Sequence, residues 1–443
     1  WESDLKPGPI GEYLEVIDVD PATGVCYPPV DLNDPRLLAV DGIRPSEANP
    51  RFHQQMVYAV AMKTIEFFER GLGRRALWAP RIVAVKGSDE RENVHSEYVQ
   101  RLRIYPHALR TQNAYYSPEK KALLLGYFSG SNDDEGGGAD RQLVFTALSS
   151  DIIAHETTHS LLDGLHRRFR EPTNPDVLAF HEAFADIVAL FQHFAVGGSL
   201  RNEIARTRGN LDHESILSQL AVQFGKATER HGALRDAIAI VTNDDKGNPV
   251  WQRRVPTKTD YQAAREDGEP HQLGAVLVAA VFDAFLQIYS RKAIGPIRLA
   301  TGGSEVLAPG ALPGDLADAL ADVAATVAGQ VLLMCIRALD YCPPVDITFG
   351  DFLRAVITAD KDLIPDDPHG YRIAFAYAFR ARGIYPESVL TISADTLGWE
   401  SIPVPLSTLD EVLSKLNLRW DLQTARRTAW ETSRENARLV HQW

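Results

Sequence analysis

Apolar and polar positions follow two different rhythms along this chain, and the change of rhythm falls near residue 149. Before it, short stretches have strand character. Residues 12–30 alternate around Asp20-Pro21-Ala22-Thr23-Gly24, a turn-favouring cluster, and predict a hairpin. Asn49-Pro50, a cap residue followed by proline, opens a predicted helix that runs through Phe67 and Phe68 to a stop at Gly71. Strand-like runs follow at 81–85, 102–105, 122–128 and 143–146. Between the last two, the Asp- and Gly-rich segment 131–140 predicts a solvated loop, with a calcium site as the sharper alternative.

After residue 149 nearly every long segment repeats at helical period: 151–168, 176–194, 273–289, 316–339 and 349–359. Segments 244–270 and 294–313 carry Pro and Gly and predict connections, and a polar, charge-rich helix begins near Asp421. Strands in front and helices behind predict an α+β fold. Its parts are an N-terminal mixed, largely antiparallel sheet domain and a mostly α-helical C-terminal domain. The implied boundaries are an N-terminal extension at 1–48, an α/β domain at 49–170, a helical domain at 171–386 and a C-terminal extension at 387–443.

Length agrees with this division, since 443 residues exceed one ordinary core. The formal charge of −13 disfavours a nucleic-acid partner, because phosphate binding relies on clustered Lys and Arg. Cys26, Cys335 and Cys342 have neither the number of a disulfide framework nor the spacing of a thiolate metal knuckle. No apolar run is expected to reach the roughly 18 residues of a membrane span, and Trp1-Glu2-Ser3-Asp4 lacks signal-peptide character. No membrane partner is therefore expected.

Chemistry concentrates in His155-Glu156-Thr157-Thr158-His159. On a helix, residues four apart lie one turn above each other, so both imidazoles can face one zinc ion. Glu156 then sits where a general base can act on a water that zinc has made acidic. A catalytic zinc needs a third protein ligand, and Glu182 in Phe180-His181-Glu182-Ala183-Phe184-Ala185-Asp186 is the candidate. Asp186, one turn further, can accept the free ring N–H of a ligating histidine. His181 adjoins Glu182 but is directed about 100° away around a helix, so Glu182 is assigned in preference.

These residues resemble the thermolysin-like metallopeptidases, a branch of the gluzincins. Asp151-Ile152-Ile153-Ala154-His155-Glu156-Thr157-Thr158-His159 is similar to that family's zinc helix, and Glu182-Ala183-Phe184-Ala185-Asp186 to its second ligand helix. Asn113-Ala114-Tyr115-Tyr116 resembles the edge strand that pairs with substrate backbone, and Gly268-Glu269-Pro270-His271 the loop whose histidine stabilises the oxyanion. The resemblance covers about 49–386. It implies zinc in the cleft between two domains, a zinc-dependent endopeptidase acting on peptides or proteins, and His271 as oxyanion stabiliser. It also implies Ile152 in a primed-side pocket and Arg253 or Arg254 as the substrate-carbonyl arginine.

Departures from the family pattern define what else to expect. Twenty-two residues separate His159 from Glu182, and none is the tyrosine the family places there; Phe169 or Arg168 falls nearest. Asp151 matches one calcium ligand, but His193 stands where a further acidic one belongs, so the double calcium site is expected to be lost or altered. The missing tyrosine keeps a zinc-retaining scaffold open as an alternative, beside a zinc hydrolase of non-peptide amides. No segment resembles the family's prosegment, which favours a cytoplasmic setting.

Overall fold

The structure is a computed structural model. It describes residues 2, 4–86, 92–130, 143–195, 198–211, 239–243, 249–387, 389–400, 405–419 and 421–443. The chain forms two compact units: unit 1 is Trp1–Leu148, His159–Arg167 and Trp399–Trp443, and unit 2 is Ser149–Thr158 and Arg168–Gly398.

Unit 1 contains the strands β1 (Leu14–Val16), β2 (Val19–Asp20), β3 (Val25–Cys26), β4 (Arg81–Lys86), β5 (Glu92–Glu97), β6 (Leu102–Leu109), β7 (Ala114–Ser117), β8 (Ala122–Ser129) and β9 (Leu143–Phe145). The predicted hairpin is β2–β3, whose turn is held by Asp20 Oδ1 accepting from Ala22 N at 2.9 Å. The main sheet runs β1-β6-β8-β7, with β9 also on β8. β1–β6 and β6–β8 are parallel, while β7–β8 and β8–β9 are antiparallel. The sheet is thus mixed in equal parts, where the sequence predicts a largely antiparallel one. A parallel pair needs a long crossover, and the helix between β1 and β6 belongs to one.

Two helices accompany this sheet, the short α1 (Pro35–Leu38) and the long α2 (Pro50–Leu72). In α2, Asn49 Oδ1 accepts from Arg51 N at 3.1 Å, Pro50 occupies the first turn, and Gly73 ends the helix in left-handed conformation at φ 68°. Val57, Ala61, Ile65, Phe68 and Leu72 bury one stripe at helical spacing.

Unit 2 is mainly helical. It starts on α3 (Ser150–Leu165), whose first part belongs to unit 2 and whose second part belongs to unit 1. α4 (Pro175–Ala195) and α5 (Gly198–Thr207) follow, then a hairpin of β10 (Ala239–Asn243) and β11 (Pro249–Arg253). The rest is α6 (Asp260–Asp267), α7 (Pro270–Ala300), α8 (Gly314–Ala338), α9 (Phe349–Leu363) and α10 (Tyr371–Ala381). α7 continues past Pro296 into the segment predicted as a connection. Between Leu273 and Tyr289 nearly every residue of α7 is buried, as in a helix enclosed on all sides. α7 packs along α4 at close range: a Cβ on Gly274 would stand 2.9 Å from the Ala179 carbonyl. Any larger residue there would push the two helices apart.

The expectation that no apolar run reaches membrane-span size does not hold. Pro175–Phe194, Pro270–Ala300 and Gly314–Tyr341 are long and apolar enough by length and composition. The first two bury 83% and 89% of their apolar windows inside the protein and the third 44%. A helix at the centre of a large helical unit needs apolar residues on every side, which produces the same composition.

The two ends, set apart in the sequence as extensions, are structurally part of unit 1. β1 lies in the main sheet, and the C-terminal segment brings α11 (Leu406–Leu413) and α12 (Arg426–Gln442). Arg426 is buried and donates to the carbonyls of Ala76, Glu12 and Gln100 at 2.8, 3.0 and 2.7 Å. Its guanidinium lies 4.2 Å from the Tyr13 ring centroid. Segment 131–140, with its candidate calcium site, lies outside the described residues.

Candidate functional site

Residues 151–162 of α3 are buried without interruption, yet many are polar. A buried polar group needs a partner, since leaving it unsatisfied costs about 1–3 kcal/mol, and more for a charge. Thr157 and Thr158 donate back to the Ile153 and Ala154 carbonyls at 2.6 and 2.8 Å. Asp163 accepts from Tyr116 Oη at 2.8 Å and from Lys121 Nζ at 3.1 Å, both within unit 1. The same buried stretch carries His155, Glu156 and His159. Potential ligand atoms of these three lie within 4.8 Å of one another, as helical spacing predicts.

α4 brings its carboxylates to His155. Phe180 and Phe184 face the core, where both also contact Phe352, and this orientation turns Glu182 and Asp186 to the other side. His155 Nδ1 is 2.8 Å from Asp186 Oδ1, and its Nε2 is 3.4 Å from Glu182 Oε2. The first contact is a charge-assisted hydrogen bond that places the ring proton on Nδ1 and leaves Nε2 as the donor atom. Burial works against a charged ring here. Asp186, by hydrogen bond and charge, and then Glu182 and Glu156 outweigh it and hold the His155 pKa well above its ordinary value.

The 3.4 Å contact is longer than the roughly 2.7–2.9 Å of a good charge-assisted hydrogen bond. It does match the spacing of two donors around one ion. Ligands about 2.0–2.1 Å from a tetrahedral zinc stand about 3.3 Å apart. Imidazole nitrogen with carboxylate oxygen is also the donor set a borderline metal prefers. The facing His155 and Glu182 donor atoms are therefore spaced as two ligands of one divalent ion would be, with Asp186 orienting the histidine.

A fourth group comes from α7. His271 is the second residue of that helix, partly exposed, with Nε2 3.7 Å from Glu182 Oε2. Its Nδ1 is 2.6 Å from Glu269 Oε1, and the same carboxylate caps α7 by accepting from Gln272 N at 2.7 Å. With its Nδ1 engaged by Glu269, His271 thus turns Nε2 toward the Glu182 carboxylate of α4. Burial opposes the Glu269 charge, but hydrogen bonds led by that from His271 outweigh it and keep its pKa below the usual carboxylate range. Glu269 is a residue the sequence reasoning missed. Its signal is a carboxylate at the cap position directly before a proline.

No family model and no curated protein matches this chain.

His181 departs from expectation. The 100° helical step separates neighbouring Cα–Cβ directions, yet a ligand atom of His181 lies within 4.8 Å of one of Glu182. The missing tyrosine has no replacement in Phe169, which is fully buried and packs edge-to-face on Phe180 at 5.5 Å.

The remaining predicted residues lie as follows. His193 Nδ1 is 3.4 Å from Asp151 Oδ1, so a ring stands beside the carboxylate where a further acid was expected. Asp151, accepting a hydrogen bond from the ring, raises the His193 pKa. Ile152 is buried in unit 2, 3% exposed. Arg254 is ion-paired to Asp260 at 3.3 Å. In unit 1, Asn113 Oδ1 accepts from Ala114 N at 2.9 Å and opens β7, which ends the path of the main sheet. A Cβ on Gly126 of β8 would stand 2.5 Å from the Asn113 carbonyl, so the glycine permits this close crossing.

Proposed function

We propose that the chain is a zinc-dependent peptidase of the thermolysin-like kind. The observation that carries this reading is His155, held by Asp186 on Nδ1 and facing Glu182 across 3.4 Å on Nε2, with Glu156 one residue away. His155, His159 and Glu182 would hold the ion. When bound, zinc supplies Lewis acidity, polarising a carbonyl and lowering the pKa of water toward neutrality.

The chain's own residues do the rest. Glu156 accepts a proton from the attacking water and later delivers it to the departing amine, so no covalent intermediate is needed. His271 donates from Nε2 to the oxygen on which charge develops, and Glu269 keeps the ring in that orientation. The edge strand β7 offers backbone groups at regular intervals, which supports an endopeptidase acting on extended peptide or protein substrates.

The test has two arms on the purified full chain. Elemental analysis is expected to find one zinc per wild-type chain and far less after Glu182→Gln. A peptide library and a denatured protein are expected to be cleaved by wild type and not by Glu156→Gln. Equal cleavage by wild type and Glu156→Gln would remove the catalytic claim, and zinc with no hydrolysis of any peptide would leave a metal-binding scaffold.

A further inference from the structure

Unit 1 holds a second buried cluster of titratable groups, remote in sequence from the residues above. His53 of α2 and His107 of β6 are 1% and 2% exposed. His107 is buried because β6 is irregular between Tyr105 and Leu109, so Pro106 and His107 both face inward instead of alternating. His107 Nδ1 lies 2.6 Å from Asp18 Oδ1, and its Nε2 lies 2.8 Å from His53 Nδ1. His53 Nε2 lies 2.9 Å from the Glu47 carbonyl oxygen. Three regions distant along the chain, at Asp18, at Glu47 to His53 and at His107, meet in this one line.

Counting protons along the line decides its state. A carbonyl cannot donate, so His53 Nε2 must carry a proton. The contact between the two rings takes a second proton and the contact with Asp18 a third. An ionised carboxylate and two neutral imidazoles supply only two. All three contacts therefore require one additional proton. Gln54 Nε2 donates to Asp18 Oδ2 at 2.8 Å, which favours the carboxylate form and leaves the extra proton on the imidazoles. Burial, and then the charge of His107, push the His53 pKa down to about 4, so His53 is the neutral ring.

We propose that Asp18, His107, His53 and the Glu47 carbonyl form a proton-gated latch, which closes the segment from Asp18 to Glu47 onto α2 and β6 and loosens when alkaline pH withdraws the shared proton. Without that proton, the His53 Nε2 lone pair faces the carbonyl lone pairs and the outermost contact fails. The other titratable groups around the rings do not produce this transition. Tyr27 and Tyr127 stand 5.1 and 6.2 Å from the His107 ring, and Asp20 accepts from Tyr127 Oη at 2.8 Å. Burial, followed by Asp20, raises both tyrosine pKa values above the usual. Asp20 itself is kept below the usual carboxylate range: burial opposes this, and hydrogen bonds led by Thr23 and Tyr127 overcome it.

The sign follows from proton counts in the two states. Below about pH 6.5 the unfolded chain protonates both histidines while the folded relay holds one extra proton, so stability rises with pH. The three contacts of the folded chain need the shared proton and the unfolded chain has no such contacts, so withdrawing it at alkaline pH weakens the folded state. Asp18→Asn changes this in a specific way. An amide can donate to His107 Nδ1, which satisfies all three contacts with neutral groups and leaves no proton to withdraw.

The experiment uses the full chain with ring-labelled histidines and urea midpoints measured from pH 5 to 9. One buried imidazole with both nitrogens protonated is expected in neutral solution, with His53→Gln and His107→Gln assigning the signals. The wild-type midpoint is expected to fall on the alkaline side, and that fall is expected to vanish in Asp18→Asn. Two singly protonated rings at neutral pH, or the same alkaline fall in both proteins, would overturn the latch. Should Asp18→Asn not fold, the wild-type ring spectrum still decides.

Discussion

Two buried histidine clusters, one in each unit, use the same side chains to opposite ends. In unit 1 every contact along Asp18, His107, His53 and Glu47 is 2.6–2.9 Å, the separation of a made hydrogen bond. In unit 2 one side of His155 makes such a contact with Asp186, while the other faces Glu182 at 3.4 Å. A proton bridges the first kind of gap and a larger cation suits the second. Carboxylate count follows the same division. One carboxylate joins two rings in the relay, whereas Glu156, Glu182 and Asp186 gather around His155. A spacing of a few tenths of an ångström thus separates the proposed proton site from the proposed metal site.

The largest expected effect tests the catalytic half of this contrast. Glu156→Gln keeps the ligands and removes the base, so hydrolysis is expected to fall on the order of 10²–10⁴-fold with zinc content unchanged. Loss of zinc along with activity would make Glu156 part of the metal site. His271→Gln comes next. Removing one oxyanion donor is expected to lower kcat by roughly 10²-fold with little change in KM, measured by steady-state peptide hydrolysis. A change confined to KM would assign His271 to substrate binding.

Asp186→Asn tests whether the 2.8 Å contact orients a ligand or merely satisfies a buried ring. Zinc affinity, measured by competition with a chelator, is expected to weaken about 10–100-fold. Unchanged affinity would make the two clusters alike, each a closed hydrogen-bond network. Gly274→Ala is the mildest change. It inserts a methyl group 2.9 Å from the Ala179 carbonyl, and overpacking of this kind costs about 1–3 kcal/mol. A lower Tm is expected together with a modest loss of kcat, because α7 carries His271 and α4 carries Glu182. None of these four changes is expected to alter the alkaline fall of the urea midpoint, which belongs to unit 1.

Much of the candidate site is legible in the sequence because its parts are local. His155 and His159 are one turn apart on one helix, and Asp186 follows Glu182 by the same interval. The N-terminal cap of α2, Asn49-Pro50, is equally local, whereas the helix runs through the predicted stop at Gly71 and ends at Gly73. His181 shows the limit: helical spacing orients its Cβ, but the reach of its side chain depends on the neighbouring helix. Glu269 is legible only as a cap until the structure places His271 against it.

By itself, then, the sequence determined the elements with a clear period, the turn and cap residues that bound them, and a helix offering two imidazoles and a carboxylate on neighbouring turns. Tertiary structure alone decided which carboxylates meet His155, the parallel pairings of the main sheet, the place of both chain ends in unit 1, and the relay. His53 and His107 are 54 residues apart and His107 and Asp18 are 89, and a strand irregularity turns His107 inward. The reason is physical: periodicity reports which face of an element a residue occupies, whereas the distance between a nitrogen and an oxygen on different elements depends on how the intervening side chains pack.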